Sequence, residues 1–196
     1  MISHSHKFIF IQINRCASSS VGRALIKCNP RSSGHGHLSS YPPEKIKSYF
    51  TFSFVRNPWD KLVSQYFWNG PGAKDGMRGV GVPSHTFPPD KQITFSEYVK
   101  DYVNKGVRIS SAWPLQLLPF ISDGGKVAID FIGRFENLQE DFNIVCDKIG
   151  IPHQQLPHRN KTKHTHYTEY YDDEAREIVA EKYAKDIQCF GYKFGK

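Results

Sequence analysis

The segment that decides the fold is Phe8-Ile-Phe-Ile-Gln-Ile-Asn-Arg-Cys-Ala-Ser-Ser-Ser-Val-Gly22. Its first six residues are nearly all apolar and β-prone, which predicts a strand buried on both faces of a parallel sheet. The residues that follow Gly22 are compatible with a helix. A turn between a buried strand and a helix leaves backbone N–H groups pointing outward beside the positive end of the helix dipole. The segment therefore predicts an anion-binding site.

Side chains of this loop support the same prediction. Arg15 adds a positive charge, and three consecutive hydroxyl groups add donors: Ser18, Ser19 and Ser20. The loop lacks the Gly-Lys pair and the spacing of a Walker A motif, which argues against nucleoside triphosphate hydrolysis of the P-loop type. A serine-rich helix start with an exposed arginine is the alternative explanation.

Two further segments have the pattern of buried strands, residues 50–55 and residues 127–132. Strands that alternate with helices predict an α/β fold with a central, mostly parallel sheet and helices on both of its faces. We expect one domain over residues 1–196, with a P-loop-like strand–loop–helix phosphate site. Glycines and prolines interrupt residues 69–91, which predicts a long surface loop.

The helices are predicted from apolar stripes and capping residues. From Trp59 the apolar residues fall at spacings of 0, 3, 4, 7 and 8, which is one face of a helix that Asn57 can cap. A second helix follows Asn137, with Glu140 placed as in a capping box. A third starts near Asp172.

The composition excludes several classes of protein. The 196 residues carry a formal charge of +7, and 39 % are hydrophobic, enough for a core and too many for a disordered chain. No apolar run approaches the ~20 residues of a membrane span, and no signal-peptide pattern is present, so we expect a cytoplasmic protein. The scattered cysteines predict reduced thiols and no disulfide framework: Cys16, Cys28, Cys146 and Cys189.

A second polar segment follows the strand at residues 50–55. Arg56 lies at its carboxyl end, and Ser64 lies two turns into the next helix, off the apolar stripe. Ligands bind at the carboxyl ends of strands in open α/β sheets, and a guanidinium with a hydroxyl group can hold a phosphate. An Asn-Pro helix start with incidental polar neighbours would give the same residues.

These segments resemble the donor-binding elements of the sulfotransferases, which use adenosine 3′-phosphate 5′-phosphosulfate (PAPS). The serine-rich loop resembles their 5′-phosphosulfate loop, and Val55-Arg-Asn-Pro-Trp-Asp-Lys-Leu-Val-Ser64 resembles their 3′-phosphate-binding segment. Three further segments are similar to the carbohydrate (family 2-like) branch: residues 132–142, 156–161 and 167–194. Apart from residues 69–91, the resemblance covers most of the chain from Phe8 onward.

The resemblance implies a transferase that moves a sulfuryl group from PAPS to a hydroxyl of a small-molecule or oligosaccharide acceptor. We expect this acceptor to be a carbohydrate. The product of the donor would be adenosine 3′,5′-bisphosphate, and no metal ion is implied. Arg15 stands where the family usually has Lys and Ala17 where it commonly has Gly; Arg keeps its charge but cannot give up a proton. The donor-binding residues implied are Arg15, Cys16, Ala17, Ser18, Ser19, Ser20, Arg56, Ser64, Phe135 and Lys161.

Sulfuryl transfer to a hydroxyl also needs a base, and histidine suits this role because its unperturbed pKa is about 6.5. His37 resembles a histidine at the same place in related carbohydrate enzymes, so we assign it as the base, with Arg15 as the catalytic charge. His35 is the second choice for the base, and His35 and Gln116 are candidates for binding the acceptor. An exposed loop histidine is the alternative.

Histidine pairs and a basic stretch leave two further interpretations open. Three His-x-His pairs raise a metal site, because residues i and i+2 share a face of a strand: His4/His6, His35/His37 and His164/His166. No cysteine or carboxylate accompanies them at zinc-like spacing, so we expect no metal. Basic residues around Lys161 predict contact with the 3′-phosphate or an acidic acceptor, or else a solvated loop.

Two rival functions remain on sequence alone. A nucleotide-dependent phosphoryl-transfer enzyme would use the same loop with ATP and Mg²⁺. A non-catalytic module would bind polyanions through the charge of +7, with affinity that falls steeply with salt. No RNA- or DNA-binding motif is present, so we expect no nucleic-acid partner.

Overall fold

The computed structural model describes residues 1–31, 35–73, 87–88, 91–106, 116–157 and 164–196. The chain divides into two compact units. The first is formed by Met1–Arg56 with Leu117–Asn160, and the second by Asn57–Gln116 with Lys161–Lys196. Whether residues 1–196 behave as a single domain stays a prediction.

The first unit holds the β-structure of the described residues. Its strands are β1 (Ile2–Ser3), β2 (Phe8–Ile11), β3 (Phe50–Val55), β4 (Ser122–Asp123), β5 (Lys126–Val127) and β6 (Phe131–Arg134). Four of them form one sheet in the order β1-β2-β3-β6, and β4 pairs with β5 as a separate hairpin. β2, β3 and β6 are parallel, and only β1 is antiparallel within that sheet.

The apolar runs explain why β2 and β3 lie at the centre of this sheet. Every residue of β2 is buried, and so is every residue of β3 except the half-buried Phe50. Phe10 and Phe52 are opposite one another in register, and their rings stack with centroids 5.0 Å apart. The sequence prediction of a mostly parallel sheet is confirmed.

The third predicted strand is wrong in its boundaries. Residues 127–132 do not form one strand, because Val127 ends the β4–β5 hairpin and β6 begins only at Phe131. Asp130 turns the chain between them, and its Oδ2 accepts hydrogen bonds from the N–H and the hydroxyl of Thr51, both at 2.7 Å. The partner is 79 residues away along the chain, so periodicity carries no sign of it.

Helices flank the sheet, as predicted. In the first unit these are α1 (Ser18–Ala24), α2 (Pro43–Ser48), α5 (Leu118–Ile121) and α6 (Leu138–Ile149), with 3₁₀ turns at Leu25–Cys28, Leu38–Ser40 and Phe135–Asn137. α6 packs on β3 and β6 and buries Phe142, Val145 and Cys146. No disulfide joins the four cysteines, all of which lie in the described part of the chain.

The start of α6 differs from the predicted capping box. The Asn137 side chain makes no capping hydrogen bond. The carboxylate of Asp141, and not that of Glu140, turns back, and its Oδ2 accepts from the Arg134 N–H at 2.6 Å. This bond ties the end of β6 to the first turn of α6.

The second unit is helical in its described residues. Its elements are α3 (Pro58–Trp68), α4 (Phe95–Glu97), a π-helix (Tyr98–Val103), a 3₁₀ turn (Tyr167–Tyr170), α7 (Asp173–Lys182) and α8 (Ala184–Phe190). Asn57 caps α3 as predicted, because its Oδ1 accepts from the Trp59 N–H at 3.1 Å. The third predicted helix is broken at Tyr183, where the backbone leaves helical geometry.

Two further predictions concern the loop at residues 69–91 and the presence of a membrane span. Of the predicted loop at residues 69–91, only residues 69–73, 87–88 and 91 belong to the described part, so this prediction lies mostly outside it. None of the helices in the described ranges has the length and apolar character needed to span a membrane.

Candidate functional site

The loop between β2 and α1 has the predicted strand–loop–helix arrangement. It reverses through two left-handed residues that are not glycine, Arg15 at φ 60° and Ala17 at φ 58°. Ser18 and Ser20 are buried at the start of α1, whereas Ser19 is exposed. The predicted hydroxyl groups therefore lie at a helix start, on both its buried and its exposed side.

The backbone at Ala17 gives a physical reason for the glycine that the sulfotransferase pattern commonly has here. Left-handed geometry places the Cβ atom of an L-residue against the following carbonyl oxygen, at a cost of about 1–2 kcal/mol, and glycine avoids this clash. Ala17 takes this conformation as the residue that precedes α1, and its carbonyl accepts the first helical hydrogen bond from the Val21 N–H at 3.0 Å.

Arg56 lies against this loop. It follows the last residue of β3 and is only 6 % exposed. Its Nη1 donates to the carbonyl oxygen of Arg15 at 3.1 Å, and its guanidinium carbon lies 3.9 Å from the centroid of the Phe135 ring. The structure thus brings together three residues that the sequence analysis assigned to the donor.

Both candidate bases are anchored through the same ring nitrogen. The Nδ1 of His37 lies 2.9 Å from the carbonyl oxygen of Pro119, and the Nδ1 of His35 lies 3.0 Å from that of Gln12. A carbonyl oxygen only accepts, so Nδ1 is the donor in both rings and Nε2 of a neutral ring keeps its lone pair. The ring of His37 also stacks on Phe120, with centroids 4.6 Å apart.

The residues that hold these rings were not predicted from the sequence. Pro119 lies 82 residues from His37 along the chain, and Gln12 contributes a backbone carbonyl, which any residue type could supply. No local pattern identifies such partners. The one signal in the sequence was that Gln12 is the polar residue of the first apolar run, close to the predicted loop.

Three predicted site residues belong to the second unit or lie outside the described residues. Ser64 belongs to the second unit and is 1 % exposed. Gln116 also belongs to the second unit, and its Nε2 donates to the Lys182 carbonyl at 2.9 Å. Lys161 lies outside the described residues. The roles of these three residues stay predictions.

A metal site finds no support in the parts of the chain that are described. Among those residues, no three His, Cys, Asp or Glu side chains come together in a way that could hold an ion. The paired histidines bond separately: His4 to the Tyr49 hydroxyl, His164 to the Thr165 carbonyl and His166 to the Thr168 hydroxyl.

Comparison with known proteins gives a consistent assignment. Residues 1–193 match the sequence profile of the sulfotransferase family. Carbohydrate sulfotransferase 14 of Danio rerio is 27 % identical over 232 aligned positions, covering 98 % of this chain and 61 % of its own length. The Homo sapiens protein of the same name is 26 % identical over 190 positions, covering 81 % and 49 %.

An uncharacterized protein of Archaeoglobus fulgidus is 33 % identical over 111 positions, covering 54 % of this chain and 72 % of its own length. The chain spans about half to three fifths of the length of the two carbohydrate sulfotransferases. The family profile, in contrast, is matched along nearly the entire chain. Together with the strand–loop–helix geometry, this match shows that the chain belongs to the sulfotransferase family.

Proposed function

We propose that this protein transfers a sulfuryl group from PAPS to a hydroxyl group of a carbohydrate acceptor. Family membership supports sulfuryl transfer, and the two relatives named carbohydrate sulfotransferase 14 support a carbohydrate as the acceptor. The observation that carries the proposal is the contact between the Arg15 loop, Arg56 and Phe135 at the carboxyl ends of parallel strands. Ligands bind at these ends of an open α/β sheet.

The residues of the first unit fit such a donor. The Arg56 guanidinium is planar and permanently charged, which suits a phosphate group, and the Phe135 ring offers a flat apolar surface for a purine. Ser18 and Ser20 lie at the start of α1, where hydroxyl groups can donate to a second phosphate. The donor supplies an activated sulfuryl group on its 5′-phosphate.

The reaction follows from the roles of these side chains. The acceptor oxygen forms a bond to sulfur while the bond between sulfur and the 5′-phosphate oxygen breaks, and adenosine 3′,5′-bisphosphate leaves. His37 takes the hydroxyl proton at Nε2, because its Nδ1 is held by the Pro119 carbonyl. Arg15 cannot act as an acid, so it stabilises the negative charge that develops on the leaving phosphate. Positioning and fixed charge supply most of the rate.

The test compares His37→Ala with His35→Ala. The two histidines are a matched pair, because each ring is held by a hydrogen bond from Nδ1 to a backbone carbonyl. Transfer of labelled sulfur from PAPS would be measured on a panel of neutral and acidic oligosaccharides, and donor affinity by calorimetry. We expect His37→Ala to lower kcat at least about 100-fold with an unchanged donor Kd, since general-base catalysis contributes 10²–10⁴-fold. His35→Ala should keep kcat within a few-fold.

Other outcomes would contradict parts of the proposal. Loss of turnover in His35→Ala alone would move the base to that residue. Full turnover in both variants would exclude either histidine as the base. Failure of the unmodified protein to bind adenosine 3′,5′-bisphosphate and to transfer sulfur to any acceptor would overturn the function itself.

A further inference from the structure

We propose that Arg56 is also the positioning residue of the 5′-phosphosulfate loop, so that one side chain binds the 3′-phosphate and prepares the 5′ end of the site. The proposal rests on the proposed function for the identity of the donor. The positioning role is additional to the proposed function, in which the donor-binding residues make separate contacts to the two phosphates. The contact that carries it is the hydrogen bond from Arg56 Nη1 to the Arg15 carbonyl at 3.1 Å.

This bond falls on the peptide that most needs support. The peptide between Arg15 and Cys16 lies between two left-handed residues, Arg15 and Ala17. Such conformations in residues other than glycine persist only where the surroundings hold them. Here the carbonyl of the peptide accepts from Arg56, and its N–H donates to the Ile13 carbonyl at 3.4 Å. The N–H is thus held within the turn, whereas the carbonyl is held from outside it by Arg56, which is 41 residues away along the chain.

Arg56 is itself held rigidly enough to act as a support. Val55 and Arg134 are paired in the β3–β6 register, so the residues that follow them, Arg56 and Phe135, emerge side by side from adjacent parallel strands. The guanidinium lies over the Phe135 ring at 3.9 Å and is largely shielded from solvent. The Asp141 carboxylate fixes the Arg134 N–H at 2.6 Å and with it the chain entering this turn.

A guanidinium carries five N–H donors in a fixed plane, so it can bond a carbonyl and a phosphate at the same time. A lysine at this position would keep the charge but lose the planar fork and the stacking on the ring. Arg56→Lys therefore separates the two roles: it preserves attraction to the 3′-phosphate and removes the geometry that supports the loop.

Two nucleotides distinguish a positioning role from simple phosphate binding. Adenosine 3′,5′-bisphosphate carries both phosphates, whereas adenosine 5′-monophosphate lacks the one that Arg56 would contact. We expect Arg56→Ala to weaken the bisphosphate by more than about 50-fold and the monophosphate by about tenfold, measured by calorimetry, because a hydrogen bond from a charged group supports the loop. Arg56→Lys should lose the same affinity for the monophosphate but retain part of that for the bisphosphate.

A second measurement needs no nucleotide. Amide hydrogen exchange at residues 15–20 should be faster in Arg56→Ala and Arg56→Lys than in the unmodified protein, while exchange in β2 stays unchanged. If Arg56→Ala fails to fold, Phe135→Leu takes its place in the test. This variant keeps Arg56 but removes the ring beneath it, so we expect exchange at residues 15–20 to accelerate to an intermediate extent. Arg31→Ala, which removes an exposed arginine of the same unit, should leave both affinities and the exchange unchanged.

The outcomes separate this proposal from the proposed function. If Arg56→Ala weakens only the bisphosphate and leaves monophosphate affinity and loop exchange unchanged, Arg56 binds the 3′-phosphate alone and the positioning role is overturned. If the unmodified protein binds neither nucleotide, the proposed function fails, and the exchange measurement still decides whether Arg56 supports the loop.

Discussion

The methyl side chain of Ala17 is unfavourable in the backbone conformation of the loop between β2 and α1. Ala17 has φ 58° in the turn that leads into α1, a conformation that glycine adopts without penalty. Ala24, seven residues later, is the last residue of α1, has φ −63° and is buried. An alanine-to-glycine substitution should therefore have opposite effects at these two positions, because φ is positive at Ala17 and negative at Ala24.

We expect Ala17→Gly to raise the free energy of unfolding by about 0.5–1 kcal/mol, because relief of the left-handed strain exceeds the entropy that glycine adds to the unfolded chain. Ala24→Gly is the matched control and should lower it by about 1 kcal/mol, the usual cost of glycine in a helix. Urea denaturation of both variants tests this difference in sign. Destabilisation of similar size in both would show that Ala17 is not strained.

The residues of the candidate site were partly predictable for a simple reason. Arg56 directly follows an apolar run and Arg15 comes two residues after one, and an apolar run followed by a polar turn is a local pattern. The bond that joins them spans 41 residues, and the carbonyl that holds His37 is 82 residues away. Tertiary contacts of this kind depend on strand order and register, which no local pattern contains.

At the scale of elements, one carboxylate joins the start of α7 to the segment around α4. The Oδ1 of Asp172 caps the helix by accepting from the Ala175 N–H at 2.7 Å. Its Oδ2 accepts from the Ser96 hydroxyl at 2.7 Å and from Lys100 Nζ at 3.2 Å. The bond from Ala175 first, and then those from Ser96 and Lys100, hold the pKa of Asp172 below its ordinary value of 3.8.

We expect Asp172→Ala to lower the free energy of unfolding by about 1 kcal/mol at pH 7, the typical cost of losing a helix cap. Asp172→Asn keeps a capping oxygen and should cost less, since it loses mainly the exposed ion pair with Lys100. Because the folded pKa is lowered, the advantage of the native carboxylate over asparagine is fully present above about pH 5. It decreases as the pH falls below 3.8.

Denaturation curves recorded between pH 7 and pH 3 would check this dependence. A difference between the native protein and Asp172→Asn that stays constant over the whole range would show that the charge of Asp172 contributes nothing. Equal losses in the alanine and asparagine variants would show that the capping oxygen is unimportant.

Elements were predicted best where their cause is local. The apolar stripe of α3 and its asparagine cap both lie within residues 57–67, and the structure confirms both. The start of β6 depends instead on Asp130 bonding to Thr51 across the sheet, and the break at Tyr183 lies inside an apolar stripe that runs on without interruption. Where a neighbouring element determines the boundary, periodicity misplaces it.

At the scale of the whole molecule, three properties bear on function: a match to one family over residues 1–193, a division into two compact units, and a charge of +7. Positive charge favours any polyanion, so affinity for anions alone does not identify the ligand. A ligand with two phosphates at fixed separation is a more specific probe, because it requires both phosphate sites to be formed. The cytoplasmic location stays a prediction.

We expect adenosine 3′,5′-bisphosphate to raise the thermal unfolding midpoint by several degrees, and ATP with Mg²⁺ to raise it less. A ligand at a hundred times its Kd stabilises the folded state by about 2.7 kcal/mol. If residues 1–196 form one domain, calorimetry should show one transition that moves as a whole, with equal calorimetric and van't Hoff enthalpies. Repeating the measurement with an acidic polysaccharide at increasing salt isolates the contribution of net charge.

Each alternative predicts a different pattern in this experiment. A phosphoryl-transfer enzyme would respond to ATP with Mg²⁺ and not to the bisphosphate. A polyanion-binding module would respond to the polysaccharide alone, and the response would vanish steeply with salt. Two separate transitions, of which the bisphosphate moves only one, would contradict the single-domain prediction while leaving donor binding intact. A shift with the bisphosphate that survives moderate salt fits only a site built for two phosphates, since screening removes what net charge alone provides.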